Sequence, residues 1–112
     1  MDILSEDSAI YIWGVMMVKV IGLMEPIDLS AFEQYRSQVG QTVELYKGSI
    51  KNRGSVPELF WNELKIASFK TFVELEFPSA QDAHTWANSP EYQALIPTRS
   101  KAMKLTLFSV VI

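Results

Sequence analysis

Three side chains in this sequence could form the polar part of a small-molecule site. Tyr35 lies on the apolar stripe of one predicted helix, Tyr92 lies on the inner face of another, and Arg99 follows it by seven residues. A tyrosine at such a position is commonly a core residue with a satisfied hydroxyl, and an arginine near a helix end commonly forms a salt bridge. If the three groups converge between helices and sheet, they would instead hold a small anionic or phenolic ligand.

Glu74 and Glu76 form a second candidate group, because they are two residues apart on one predicted strand. This spacing places both side chains on one face, roughly 7 Å apart. Two carboxylates so close can take different pKa values and share acid–base work. More commonly, two such carboxylates are solvated or paired with a lysine, which here would be Lys70. If their face is buried, Arg53 or Arg99 could pair with them, so the predicted ligand-binding residues are the following: Tyr35, Arg53, Glu76, Tyr92 and Arg99.

The residue types that most cofactor and metal sites need are scarce. The sequence has no cysteine and one histidine, His84, which excludes thiolate chemistry and a two-histidine metal site. By helical phase His84 falls near the solvent side, so we interpret it as a surface residue, with a haem or metal ligand as the alternative. Trp86 is interpreted as a core anchor rather than a ligand platform. The chain also has no phosphate-loop or dinucleotide motif, and we predict no cofactor and no metal.

Composition predicts one globular domain with neither a nucleic-acid nor a membrane partner. The 112 residues suffice for one domain, and 48% of them are hydrophobic. A net charge of −3 and a pI of 5.1 argue against a phosphate-binding surface. The longest apolar stretch, residues 10–24, is shorter than the roughly 20 residues that span a bilayer. Because the first residues are acidic rather than basic, we expect no secretory signal and a cytoplasmic location. Residues 1–8 are predicted to be a flexible arm, and residues 9–112 the domain.

Helices are predicted from caps and apolar spacing. Asp28 and Ser30 can each cap the first helix, and Ser30 with Glu33 matches a capping box. Gly40 is predicted to serve close packing, and Gly48 to end this helix. The apolar stripe of this helix consists of Phe32, Tyr35, Val39, Val43 and Tyr46. The later helices are predicted to begin at the caps Ser79 and Ser89-Pro90.

Strands are predicted from β-branched, aromatic and alternating residues. The segments are residues 10–20, with Glu25-Pro26 as the breaker, then residues 49–53, 58–64, 69–77 and 105–112. The second and third of these could form a hairpin or lie apart in the sheet. The order of strand, helix, strands, helix pair and strand predicts an α+β, ferredoxin-like β-α-β-β-α-β fold, whose antiparallel sheet carries helices on one face.

The other face of such a sheet would meet water in a monomer. The predicted first strand is apolar on both sides, with either a Tyr11–Met17 set or an Ile10–Val20 set on the open face. Phe72 and either Phe108 or Leu107 would add to it. A patch of this size is typical of an interface, so we predict a homodimer in which two sheets pack face to face in a barrel-like sandwich. The alternative is an arm or loop folded over the sheet.

The second half of the chain resembles the domain of unknown function 1330 family, which belongs to the dimeric α+β barrel superfamily. The resemblance covers roughly residues 15–112. Its motifs are Glu76-Phe77-Pro78-Ser79-Ala80-Gln81-Asp82-Ala83, Trp86, Asn88-Ser89-Pro90-Glu91-Tyr92-Gln93-Ala94-Leu95, Pro97 and Arg99, and in the first half Asp28, Phe32, Tyr35 and Arg53-Gly54. Lys47-Gly48 departs from the family, which has two glycines there, and Glu63-Leu64 departs from its Glu-Gly pair. The resemblance implies the fold and a homodimer, and it leaves the activity open.

Three functions remain open at this point. The leading prediction is a homodimer that binds a small organic molecule. The alternatives are a cofactor-independent monooxygenase or isomerase, in which a Tyr or Glu removes a proton from substrate, and a structural or regulatory dimer without ligand. The first two need a cavity of roughly a few hundred Å³ lined by Tyr35, Tyr92 or Arg99, whereas the third would pack that space solid.

Overall fold

The computed structural model describes residues 17–112, which form a four-stranded antiparallel sheet with helices on one face. The elements are β1 (Val18–Pro26), α1 (Leu29–Leu45), β2 (Ser49–Ser55), β3 (Thr71–Phe77), α2 (Ala80–Ala87), α3 (Pro90–Gln93), α4 (Ile96–Ala102) and β4 (Met103–Val111). The strand order is β2-β3-β1-β4. This is the predicted α+β, ferredoxin-like fold. The predicted arm, residues 1–8, lies outside the described residues.

The core lies between the helices and one face of the sheet. Along β1 and β3, every second residue points toward the helices, and most of these residues are buried, as with Val20, Leu75 and Phe77. On β4 the same side carries Leu105 and Leu107, which pack against the core. The alternate residues form the open face, which we define by these members: Lys19, Ile21, Leu23, Phe72, Glu74, Glu76, Phe108 and Val110.

The first strand differs from its prediction. Within the described residues it begins at Val18 and continues six residues past Val20, to Pro26. Residues 10–16, which carry most of the predicted strand, lie outside the described part of the chain. The register across β1 decides another open question, because Phe108 pairs with Ile21 and lies on the open face. Leu107 pairs with Gly22 on the helix side.

Helix α1 shows the predicted apolar stripe with a different start. Its N-cap is Asp28, whose carboxylate accepts a hydrogen bond from the Ala31 amide at 3.0 Å. The capping box predicted at Ser30 and Glu33 is wrong, because Ser30 already lies inside the helix. The predicted close packing at Gly40 is also wrong, since the nearest atom to a Cβ there would be a side-chain carbon of Ile50 at 3.6 Å. The predicted caps Ser79 and Ser89, with Pro90 at the first helical position, are confirmed.

The segment between β2 and β3 is a loop. Residues 56–70 contain no strand, so the prediction of a strand over residues 58–64 is wrong. The loop is closed at its base by a 2.8 Å hydrogen bond from the Val56 amide to the Lys70 carbonyl. At its tip Phe60, Trp61 and Leu64 are largely exposed. Among the helices of residues 17–112, none is long and apolar enough to cross a membrane.

Candidate functional site

Three of the predicted site residues meet in one hydrogen-bonded chain. The Tyr35 and Tyr92 hydroxyl oxygens are 2.8 Å apart, and Arg99 Nη1 donates to the Tyr92 hydroxyl at 2.8 Å. The Arg99 guanidinium also lies 5.6 Å from the centre of the Tyr92 ring. Tyr35 and Tyr92 are 7% and 2% exposed, so this chain lies in the core. The three groups therefore meet within the core, and a role for them in binding a ligand stays a prediction.

Local sequence explains how α3 presents Tyr92. Ser89 caps this helix, accepting from the Tyr92 amide at 3.1 Å and donating to the Trp86 carbonyl at 2.7 Å. Pro90 occupies the first helical position, where no amide hydrogen is needed. The Tyr92 ring then meets Tyr35 edge-on and lies 4.5 Å, centre to centre, from Trp86. The turn between α2 and α3 thus sets the position of the second tyrosine.

The environment of Tyr35 keeps its phenol protonated. Burial raises the pKa of the Tyr35 hydroxyl far above its ordinary value of 10, and the neighbouring Tyr92 raises it further. The Arg99 guanidinium acts in the opposite direction but does not offset burial. Tyr35 therefore offers a neutral hydroxyl, suited to hydrogen bonding rather than to removing a proton.

A cavity of about 300 Å³ lies between α1 and the sheet, and Tyr35 is part of its wall. Most of the wall is apolar and consists of Met24, Phe32, Val39, Ile50, Phe72, Val73, Leu75, Trp86, Leu105 and Leu107. Tyr92 and Arg99 do not line it, so they act on its contents only through Tyr35. The size and lining are typical of small-molecule sites.

Two arginines stand where the cavity meets solvent. Arg53 and Arg36 both line it and both are exposed. Arg36 also contacts Glu33 at 3.2 Å and lies over the Phe32 ring. The Thr71 hydroxyl oxygen, on a lining residue of β3, is buried without a partner among residues 17–112. Sequence reasoning missed Arg36 and Thr71, since neither residue type was unusual in its local pattern.

Glu76 lies on the open face, away from this cavity. Its carboxylate contacts Lys19 Nζ at 2.7 Å and Lys51 Nζ at 3.6 Å, while Glu74 contacts Lys19 at 2.9 Å. The bonds to Lys19 hold the pKa of both carboxyls below their ordinary value, and they raise the pKa of Lys19. The lysines, rather than Arg53 or Arg99, are therefore the partners of this pair. This arrangement is an ion-pair cluster, and it does not split the two pKa values in opposite directions.

His84 is exposed on α2, as predicted. It borders a second depression, of about 440 Å³, between α2 and the end of β4. Across the described range, no group of three or more histidine or acidic side chains comes together that could hold a metal ion. The cavity beside Tyr35 is the better candidate site, because apolar walls and polar groups from both layers converge there.

The fold and this cavity place the protein among the α+β proteins of the ferredoxin-like type. The domain of unknown function (DUF1330) family matches residues 19–111, which is most of the chain. The chain therefore belongs to the DUF1330 family, as its motifs indicated. Curated proteins provide no match to this sequence.

Solved structures share the fold at low sequence identity. A protein of unknown function from Rhodopseudomonas palustris is 13% identical with a TM-score of 0.70, over 91% of this chain and 90% of that one. SnoaB, a cofactor-independent oxygenase from Streptomyces nogalater, is 6% identical with a TM-score of 0.64, over 87% and 93%. A dimeric ferredoxin-like protein of unknown function from Thermobifida fusca is 12% identical with a TM-score of 0.58, over 87% and 92%. At these identities the likeness shows the fold alone.

Proposed function

We propose that this protein is a homodimer that binds a small organic molecule in the cavity beside Tyr35. The observation that carries the proposal is a largely apolar cavity of about 300 Å³ between α1 and the sheet, which opens to solvent beside Arg36 and Arg53. Clefts of this size that are lined mainly by apolar side chains with a few polar groups are typical of small-molecule sites. A structural dimer without ligand would have no need of it.

The lining defines the kind of ligand that fits. The apolar wall favours a compact hydrocarbon or aromatic body. Tyr35 is a polar-tipped residue of the wall, and Arg53 and Arg36 supply positive charge toward solvent. A molecule with an apolar body and an oxygen-bearing group matches these features. A cytoplasmic location stays a prediction from composition.

A cofactor-independent oxygenase or isomerase is the second candidate, and the fold shared with SnoaB favours it. Such chemistry by proton abstraction needs a base beside the substrate. The described lining residues include no histidine, aspartate or glutamate, and burial raises the pKa of Tyr35. Glu74 and Glu76 lie on the other side of the sheet. Binding is therefore better supported than catalysis by a Tyr or Glu base.

Filling the cavity tests the binding proposal. A set of small ketones, phenols and aromatic acids would be screened by saturation-transfer NMR against the wild-type protein and Val39→Phe. Val39 lines the cavity, so a phenylalanine ring there should occupy the ligand's space and weaken binding at least tenfold. Leu64→Phe, at an exposed position of the loop, is the control and should bind as the wild type does. A ligand that binds Val39→Phe and wild type equally would lie elsewhere on the protein.

The open face supports the dimer. It has an apolar part with Ile21, Leu23 and Phe72, beside Phe108, which is 44% exposed. Its polar part is already neutralised within the chain, because Lys19 pairs with Glu74 and Glu76 and Lys51 pairs with Glu76. A second sheet can therefore cover this face without leaving a buried charge unpaired. The dimeric Thermobifida fusca protein shares the fold.

Sedimentation velocity at micromolar concentration tests the dimer. The wild type should sediment at twice the chain mass of 12.7 kDa. Ile21→Asp places a carboxylate in the apolar part of the open face and should yield monomers. Leu64→Asp, in the exposed loop, should remain dimeric. A wild-type particle of 12.7 kDa would contradict the dimer.

A further inference from the structure

The hydrogen-bonded series Arg99–Tyr92–Tyr35 contains one more donor hydrogen than its two hydroxyl oxygens use as it is arranged. Arg99 can only donate, so the Tyr92 oxygen accepts its N–H. Tyr92 and Tyr35 then each have one hydroxyl proton, and a single contact of 2.8 Å joins their oxygens. That contact uses one of the two protons. The other proton has no acceptor among the described residues.

Burial decides which proton is left over. If Tyr35 donated to Tyr92, the Tyr92 proton would remain unpaired at a position that is 2% exposed and does not line the cavity. An unpaired donor in such a place is destabilising. If Tyr92 donates to Tyr35, the free proton belongs to Tyr35, which is part of the cavity wall. The second arrangement leaves the free donor on a residue of the cavity wall, where a bound molecule could accept from it.

We propose that Tyr35 donates this hydrogen bond to an oxygen acceptor on the ligand, so that the cavity selects small apolar molecules that carry a carbonyl group. Arg99 and Tyr92 are positioning residues, since Arg99 fixes the direction of the chain by donating to Tyr92. The positive charge of Arg99 also polarises both hydroxyls and strengthens the final donor. This inference rests on the proposed function of the cavity and adds the chemical class of its ligand.

Two probes of nearly the same shape test the donor. Acetophenone carries a carbonyl, and α-methylstyrene replaces its oxygen by a CH₂ group. Dissociation constants for both would be measured by ¹H–¹⁵N chemical-shift titration of the wild type and of Tyr35→Phe. The ratio of the α-methylstyrene to the acetophenone dissociation constant should be roughly five- to tenfold larger in the wild type than in Tyr35→Phe. Comparing ratios removes the difference in hydrophobicity between the probes.

Arg99→Met tests which of the two tyrosine hydroxyls donates to the other. Loss of the arginine removes the donor that commits the Tyr92 oxygen to accepting, so the ratio should fall toward that of Tyr35→Phe. A purely structural role for Arg99 would weaken both probes equally and leave the ratio unchanged. If Tyr35→Phe does not fold, Arg99→Met decides alone, and an unchanged ratio overturns the inference.

The outcomes separate this inference from the proposed function. Equal ratios in wild type and Tyr35→Phe, with both probes bound, would remove the donor role and leave the cavity as a binding site. If neither acetophenone nor α-methylstyrene binds at millimolar concentration, the proposed site itself is contradicted, and the inference with it.

Discussion

At the scale of single residues, Thr42 joins α1 to α2 behind the cavity. Its hydroxyl donates to the Val39 carbonyl at 2.7 Å and accepts from the Trp86 indole nitrogen at 3.0 Å. Trp86 is 2% exposed and lines the cavity, so its N–H has no access to bulk water. Thr42 thus holds in place a ring that forms part of the candidate site.

Thr42→Val should destabilise the protein by about 1–3 kcal/mol, because it leaves the buried indole N–H unpaired while keeping the side-chain shape. Thr42→Ser is the matched control, since it keeps the hydroxyl and loses one methyl group, and it should cost less than Thr42→Val. Urea denaturation followed by far-ultraviolet circular dichroism measures both. A larger loss for Ser than for Val would show that the methyl group, rather than the hydrogen bond, matters here.

At the scale of elements, the turn from α1 into β2 explains a departure from the family pattern. The helix ends at Leu45 rather than at Gly48, and Lys47 follows with a φ of 73°. This left-handed conformation favours glycine, which is the residue that the resemblance led us to expect at that position. Gly48 is needed for space instead, because a Cβ there would lie 2.5 Å from the Phe77 ring and 2.7 Å from Val43.

The two glycines near this turn should respond oppositely to alanine. Gly48→Ala should destabilise the protein by about 1–3 kcal/mol, because Phe77 and Val43 are fully buried and cannot move aside cheaply. Gly40→Ala should stabilise it by about 0.5–1 kcal/mol, since α1 gains helix propensity and the added methyl meets only ordinary contact. Equilibrium urea unfolding of the two variants gives the sign of each change, and destabilisation by Gly40→Ala would contradict the ordinary contact with Ile50 inferred for the added methyl group.

At the scale of the whole molecule, the Lys19 cluster connects the strands of the open face. Lys19 on β1 contacts Glu74 and Glu76 on β3, and Lys51 on β2 reaches Glu76. The folded protein lowers the pKa of both carboxyls, so their contribution to stability is present above their ordinary pKa of 4.5. It is lost as the pH falls through the lowered pKa values.

Lys19→Met should therefore flatten the acid limb of the stability profile. The wild type should lose stability as the pH falls below about 5, whereas the variant should be less stable at pH 7 and should lose less on acidification. The midpoint of urea unfolding, measured at several pH values, gives the two slopes. Lys101→Met, at an exposed position on α4, should keep the wild-type slope. Equal slopes for wild type and Lys19→Met would show that this cluster does not cause the loss of stability at low pH.

Local patterns in the sequence were sufficient for much of the fold. The apolar–polar alternation of β3, the apolar stripe on α1 and the serine caps of α2 and α3 all depend on residues a few positions apart. They can therefore be predicted from the sequence without tertiary information. The ferredoxin-like order of elements and the membership of the family followed from these. The same local reasoning placed Tyr35 and Tyr92 on inward helix faces, which anticipated their contact.

Tertiary structure alone decided the rest, because pairing and packing join residues that are distant in sequence. Glu25-Pro26 marked where the first strand stops, but only the pairing with β3 and β4 shows that residues 21–26 belong to β1. Residues 58–64 have strand-like composition but find no partner strand. Glu76 takes Lys19, 57 residues away, as its partner on the open face. The cavity itself is the space left between α1 and the sheet, a property of packing that no short stretch of sequence encodes.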